Sequence, residues 1–468
     1  MQAEPSERFR LLVERAAGGP APALRGVRGP ARLLSHIDAD GISSASVLAW
    51  LLLELGIPFH ASFVKRFPED PARELGESYE LLVVSDMGSG YRERLSGAAS
   101  RARVVVVDHH EPVGETPEGV EELNPHDLGI DGGQEVSAAG VAYALFRAAL
   151  PDGPRPAHLA LLGAIGDVQS RNGFTGVNRE ILRQAKEMGL VEARTELRLF
   201  GGPEYPLLLA LERTVDPPIP GVSGSSSGAL QMLEGLGIPP KTGDRMTTLS
   251  DLTEEQRRAL LSEIVKRLAA WGQRASPDQL LGTVYTLLTE PPGSPLRDLG
   301  TFATLLNACG RMGRADVGLA LGLGRRGRAL EAANRVLSEY RRELARFLDV
   351  LSEVQRVEGG VLFVDGRGRL RDTLTSPVAS IAARVPPEEG VLLVAVAAEE
   401  PEDPGRVKLS LRLTQEGRES GLDAGEIASA AAAELGGEGG GHSAAAGLTV
   451  PASELQRLVS LLAESTRR

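Results

Sequence analysis

Acidic and imidazole side chains recur at the ends of short apolar runs early in the chain. Leu33-Leu34 leads into His36-Ile37-Asp38-Ala39-Asp40-Gly41, Leu81 to Val84 into Ser85-Asp86-Met87-Gly88, and Val104 to Val107 into Asp108-His109-His110-Glu111. A further acid, Asp167, follows Gly163-Ala164-Ile165-Gly166. Asp38, Asp40, Asp86 and Asp167 are hard oxygen donors and His109 adds an imidazole, with no thiolate among them. That mixture favours Mn²⁺, with Mg²⁺ second, over structural zinc. Two such ions about 3.5 to 4 Å apart clamp the attacking and leaving oxygens of a phosphoryl displacement. Phosphodiester hydrolysis is the reaction this set suits. Each piece alone has a plainer reading: Asp-x-Asp-Gly is a common turn, a His-His pair is commonly surface or core, and Asp167 could cap a helix. Their shared position at element ends is what independent turns would not produce.

The elements that must position these residues follow from the patterning. In an open parallel sheet, ligands bind outside the carboxyl ends of the strands, so successive strand ends converge on one crevice. From about Arg32 to Asp167, strand-like runs alternate with helical ones at Ser44 to Leu55, Val136 to Leu150 and His158 to Ile165, which predicts an α/β domain with a mainly parallel sheet. Between Thr214 and Gly228 lies a breaker cluster, Val215-Asp216-Pro217-Pro218-Ile219-Pro220-Gly221 and then Ser223-Gly224-Ser225-Ser226-Ser227-Gly228. Its serines read either as a tether or as the cap of a helix that resumes at Ala229. Leu252 to Leu268 and Ala329 to Val354 read as amphipathic helices, the second long and charged. After Glu358-Gly359-Gly360, strands are expected at Val361 to Val364, Val391 to Ala397 and Val407 to Leu413, giving a smaller C-terminal α/β domain. The expected division is 1–214, a mostly helical 215–356, and 357–468.

Composition narrows the class. At 468 residues, with 42% hydrophobic and 24% charged content, the chain reads as a globular protein of two or three domains. The apolar run Val47 to Leu55 is too short to span a bilayer, and Met1 to Glu14 has no apolar signal core, so no membrane association or secretion is expected. One cysteine, Cys309, excludes an internal disulfide and fits a reducing cytoplasm. A net charge of -12 argues against coating nucleic acid through a bulk field, but Arg311, Arg314, Arg325, Arg326 and Arg328 stand against the single acid Asp316 in one local basic segment.

At these residues the chain resembles a known family. Asp38-Ala39-Asp40-Gly41, Ser85-Asp86-Met87-Gly88-Ser89, Asp108-His109-His110 and Gly163-Ala164-Ile165-Gly166-Asp167 resemble the four successive motifs of the DHH phosphoesterase superfamily. Gly439-Gly440-Gly441-His442-x-x-Ala445-Ala446-Gly447 resembles the signature of the DHH-associated domain, and Asn307-Ala308-Cys309-Gly310-Arg311-Met312-Gly313-Arg314 resembles the Asn-Ala-x-Gly-Arg segment of the RecJ exonuclease branch. The resemblance extends to archaeal-type RecJ and the GINS-associated nuclease, since the chain is shorter than bacterial RecJ and no additional oligonucleotide-binding domain is expected after Gly447.

The resemblance implies a two-ion single-strand exonuclease acting on DNA, with RNA left open, in replication or repair, and allows association with replisome proteins such as GINS. It implies that Asp86 bridges both ions, that Asp38 belongs to the first, and that Asp40, His109 and Asp167 complete the second. His110 would then face the scissile phosphate, Asp108 would orient its neighbours, and His36 would be either a ligand or a lining residue. Ser410 and Arg412 resemble the phosphate-contacting Ser-x-Arg of the associated domain. Gly440, Gly441 and His442 would offer backbone amides and an imidazole to the same substrate. Arg311 and Arg314 would track the strand where it crosses between domains. With aromatic content at 4%, backbone recognition is expected to dominate over base stacking. The competing readings are a phosphodiesterase for short oligonucleotides or small nucleotides, and a replisome scaffold that keeps the fold.

Overall fold

Apolar strands give way to polar residues along a common line because their register aligns them. The computed structural model describes residues 4–75, 78–153, 155–215, 217–270 and 280–467; Met1 to Ala3 of the expected leaderless N-terminus and Asp216 of the breaker cluster lie outside them. Strands β1 (Ala31–His36), β2 (Phe59–Val64), β3 (Leu81–Ser85), β4 (Arg103–Val107) and β5 (Val120–Leu123) form a five-stranded sheet in the order β2-β1-β3-β4-β5. All its pairs are parallel. Ser35 pairs with Ser85, Ser85 with Val107, and Val107 with Leu123. The next residues along, His36, Asp86, Asp108 and Asn124, therefore leave the sheet side by side.

Buried β-branched and leucine side chains alternate between the sheet's two faces. Leu34, Leu82, Val84, Val104 and Val106 join Phe67, Leu75 and Leu95 in one core. Helices α1 (Ala39–Glu54) and α2 (Ala138–Ala149) contact the strands of the sheet, and α3 (Ala157–Gly166) packs on both of these helices. α3 can approach α1 closely because of glycine. A Cβ at Gly163 would collide with the Asp40 carboxylate, and one at Gly166 would lie 2.7 Å from the Ala39 methyl.

The remainder of this first unit, Met1–Leu337, is mostly helical. The serine-rich segment caps rather than tethers: Ser225 accepts a hydrogen bond from Gly228 N at the start of α4 (Ser226–Gly235). α5 (Glu254–Ala270) follows. An antiparallel pair, β6 (Val191–Leu197) with β7 (Leu281–Leu287), adds strands that the sequence reading does not place, β7 within the mostly helical 215–356 and β6 before it. Its partners are far apart in sequence, so no local hairpin pattern announces it. α6 (Leu299–Arg311) and α7 (Ala315–Gly322) then return to pack against α1.

The division between units falls within the long helix α8 (Arg328–Asp349). The second unit, Ser338–Arg468, carries a six-stranded mixed sheet formed by β8 (Gln355–Glu358), β9 (Val361–Asp365), β10 (Leu393–Glu399), β11 (Arg406–Leu413), β12 (Glu438–His442) and β13 (Ala445–Pro451), in the order β8-β9-β10-β11-β13-β12. Helices α9 (Thr375–Ala382), α10 (Ala424–Glu434) and α11 (Leu455–Ser465) complete it. Among the described residues, no helix is long and apolar enough to cross a membrane.

Candidate metal centre

The turn after β1 is built so that Asp38 and Asp40 leave it in different directions. Asp38, in extended conformation, caps α1 by accepting from Gly41 N at 2.9 Å through Oδ1, which leaves Oδ2 for the crevice. Gly41 is required there, because a Cβ would collide with the carbonyl of His36. Asp40, two residues further, is completely buried and accepts from Ala138 N at 2.7 Å and Ala139 N at 3.0 Å, so its carboxylate sits on the N-terminus of α2. Asp86 sits at φ 56°, a left-handed conformation that aspartate tolerates better than most residues, and its N–H donates to Val107 O at 2.9 Å.

These side chains converge. His36 Nδ1 lies 2.9 Å from Asp38 Oδ2 and 3.5 Å from Asp86 Oδ2. His109 Nε2 lies 3.3 Å from Asp86 Oδ1, 3.4 Å from Asp167 Oδ2 and 3.8 Å from Asp40 Oδ2. Donor atoms within the group His36, Asp38 and Asp86, and within the group Asp40, His109 and Asp167, all lie within 4.8 Å of one another. An ion with bonds of about 2.1 Å holds opposite ligands about 4.2 Å apart, so each group needs only a small contraction to close on a cation. The donor set fits Mn²⁺ or Mg²⁺.

Hydrogen bonds fix which nitrogen each imidazole offers. His109 Nδ1 lies 2.7 Å from Gly132 O and donates to it, leaving Nε2 for a metal. His110 Nδ1 lies 2.8 Å from Asp108 Oδ1 and 4.0 Å from Asp86 Oδ1. His110 also belongs to a third group with Asp86 and His109, but its Nδ1 is engaged by Asp108 and its ring is 48% exposed. Asp108 itself is consumed, accepting from Ser89 N, His109 N and His110 N as well.

The electrostatics are those of a site short of positive charge. Burial and then the Asp86 carboxylate push Asp40 up to about 7. Burial, followed by Asp40, raises Asp167 well above the ordinary carboxylate value. Burial opposes the charging of His36 and His109, yet their carboxylate neighbours outweigh it and hold both well above the usual imidazole value. Burial likewise resists ionising Asp38 and Asp108, but His36 and His110 respectively bring them below the usual range.

Two features of this centre have no counterpart in the sequence reading: Gly132, which supplies a carbonyl, and Asn124, which donates to Ser89 Oγ at 2.8 Å and His110 O at 2.9 Å; Asn307, which the sequence marks only as part of the Asn-Ala-x-Gly-Arg segment without a role, accepts from Ala39 N at 3.0 Å. Asn124 had one available signal, its place directly after a strand. Arg311 ends α6 next to Gly310, where a Cβ would collide with Ile37 O, so its backbone lies beside the ligand-bearing turn. Arg314 is exposed and pairs with Asp316 at 3.1 Å, while Arg326 pairs with Glu290 at 2.5 Å. The basic segment is thus less positive than its arginine count.

In the second unit the register gathers the other expected residues. Ser410 pairs with Gly447 and Gly447 with Gly440; Arg412 pairs with Ala445 and Ala445 with His442. Residues on one rung share a face. Ser410 is buried and bonded to Thr375 Oγ1 at 2.8 Å, and Arg412 donates to Ser376 Oγ at 2.6 Å and Ser380 Oγ at 3.1 Å. The glycine run is an edge strand, not a loop. Gly439 and Gly441 are demanded by packing, since Cβ atoms there would lie 2.6 Å from Ala428 O and Ala445 O, whereas Gly440 meets nothing closer than Ser429 Oγ at 3.7 Å.

Residues 32–166 match the DHH family N-terminal domain, 199–280 the DHH-CID domain and 369–467 the DHHA1 domain. An uncharacterized protein of Methanocaldococcus jannaschii is 27% identical over 452 residues, which covers 94% of this chain and 95% of that protein. The single-stranded-DNA-specific exonuclease RecJ of Bacillus subtilis is 30% identical over 181 residues, 35% of this chain and 22% of RecJ. Among solved structures, RecJ of Thermus thermophilus in complex with Mn²⁺ superposes with a TM-score of 0.58 at 20% identity, covering 98% of this chain and 55% of RecJ. This chain therefore spans about half the length of that protein.

Proposed function

This chain belongs to the RecJ-like DHH family of phosphoesterases, and we infer that it is a metal-dependent exonuclease that hydrolyses single-stranded DNA to mononucleotides. The observation that carries this reading is the orientation of Asp86, whose Oδ2 faces His36 while its Oδ1 faces His109. One carboxylate directed at two donor groups is what a ligand shared by two ions requires. His36, Asp38 and Asp86 would hold one cation; Asp40, Asp86, His109 and Asp167 would hold the other. Bound there, two divalent cations would stabilise charge on a phosphoryl group and bring the pKa of a water down to about 7.

The chain's own residues supply orientation and charge. Asp108 keeps a proton on His110 Nδ1, so the ring presents its other nitrogen to a phosphate oxygen. Burial works against charging His110, but Asp108 raises its pKa, which favours the donor form. Arg311 adds a fixed positive charge beside the Ile37 turn, and Arg314 would supplement it. In the second unit, Ser410, Arg412, Gly440, Gly441 and His442 would bind the sugar-phosphate backbone through hydroxyl, guanidinium, amide and imidazole groups. None of these reads a base edge, so little sequence preference is expected.

End-labelled single strands incubated with the full chain test the reading. Digestion to mononucleotides is expected with added Mn²⁺, none with a chelator, and none from Asp86→Ala. Undiminished hydrolysis by Asp86→Ala would remove the site assignment. Cleavage confined to dinucleotides would point instead to a short-oligonucleotide phosphodiesterase.

A further inference from the structure

We propose that Asn307 is a positioning residue for the metal centre, acting through the peptide backbone of the turn that carries Asp38 and Asp40. This rests on the two-ion reading above and adds a component to it. The first turn of a helix leaves backbone N–H groups without intrahelical partners. In α1, Asp38 Oδ1 takes Gly41 N and Asp38 O takes Ile42 N, both at 2.9 Å. The N–H of Ala39, lying between the two ligand carboxylates, is taken by Asn307 Oδ1 at 3.0 Å from 268 positions away.

A second contact grips the same turn from the same helix. Gly310, one turn after Asn307 on α6, lies so close to the carbonyl of Ile37 that a Cβ would collide with it. Ile37 separates His36 from Asp38, as Ala39 separates Asp38 from Asp40. α7 continues the seam along α1: a Cβ at Gly318 would lie 3.0 Å from the Ile42 side chain, and one at Gly322 would collide with Ser46. Both contacts from α6 thus hold peptides between ligands without touching a ligand side chain. Ligand geometry must be held to about 0.5 Å for tight coordination, and the backbone is the lever that sets it. α6 and α7 fall between the matched domains, which end at residue 280 and resume at 369, yet they complete the first metal-binding turn.

The full chain and its Asn307 variants are titrated with Mn²⁺, the free ion being followed by electron paramagnetic resonance, with melting temperatures measured alongside. Asn307→Ala removes the acceptor while keeping a good helix former; Asn307→Asp keeps an oxygen in place; Asn307→Gln displaces it by one methylene. Asn307→Ala and Asn307→Gln are expected to weaken Mn²⁺ binding by about tenfold or more, while Asn307→Asp stays within about threefold of the parent. Parental Mn²⁺ affinity in Asn307→Ala, with or without a raised KM for the strand, overturns the assignment, as does an equal loss in Asn307→Asp. If the parent binds no Mn²⁺, the two-ion reading falls and takes this inference with it, so the two failures are told apart by the parent alone.

Discussion

Asp86 at φ 56° and Val168 at φ 62° are the non-glycine residues with positive φ among those described, and both belong to the metal centre, one as a candidate ligand and the other directly after Asp167. Aspartate reaches this region at modest cost, but a β-branched residue does not. The Val168 side chain gains little from packing to offset the strain, being 63% exposed. Relief of left-handed strain is worth about 1–2 kcal/mol, and the added freedom of glycine in the unfolded chain takes back about 0.4–1 kcal/mol. Val168→Gly is therefore expected to stabilise the metal-free protein by up to about 1.6 kcal/mol, measurable as a higher urea midpoint. A lower midpoint would mean that Val168 is not strained.

The elements that aim the ligands are tied together behind the crevice by a buried ion pair. Arg92, in the turn after β3, donates to Glu122 of β5 at 2.8 Å, and Glu122 also accepts from Ser89 Oγ at 2.6 Å. Arg92 also reaches Asp127 at 3.5 Å, so removing the Glu122 charge takes away its nearer and better buried partner, at a cost below the roughly 3–5 kcal/mol of a wholly unpaired buried charge. Glu122→Gln should lower the urea midpoint by a corresponding amount, and an unchanged midpoint would show the latch to be dispensable. This latch also marks where the sequence stops being readable. β1, β3 and β4 were legible because Leu and Val runs break abruptly into His36, Asp86 and Asp108. β5 was not, because Glu121 and Glu122 interrupt the apolar pattern, and with β5 hidden, Asn124 had no place beside Asp108. Asn307 stands in a legible motif, but its contact with Ala39 N spans 268 positions, and the carbonyl of Gly132 acts through the backbone; neither contact leaves a local pattern. The helix resuming at Ala229 and the parallel sheet followed from ordinary propensities, while the choice between tether and cap for the serines is decided only by the hydrogen bond at Ser225; the β6–β7 pair and the edge-strand form of Gly439 to His442 depended on tertiary pairing.

For the molecule as a whole, the charged crevice links stability to pH and to metal. A group whose folded pKa lies above its unfolded value contributes stability that is complete below the unfolded pKa and is lost as pH rises through the folded one. Asp40, moved from 3.8 to about 7, has that sign, as do the raised Asp167, His36 and His109. The metal-free protein should lose stability between about pH 4 and pH 7 and somewhat beyond as these protons leave. Cations replace those protons, so Mn²⁺ should raise the melting temperature more at about pH 8 than at about pH 5.5. A shift of equal size at both would contradict this coupling.

The most direct measurement is anomalous scattering from crystals of the full chain grown with Mn²⁺. Two peaks about 3.5–4 Å apart are expected astride Asp86, one against His36 and Asp38 and the other against Asp40, His109 and Asp167. A single peak, or peaks that do not share Asp86, would contradict the two-ion centre.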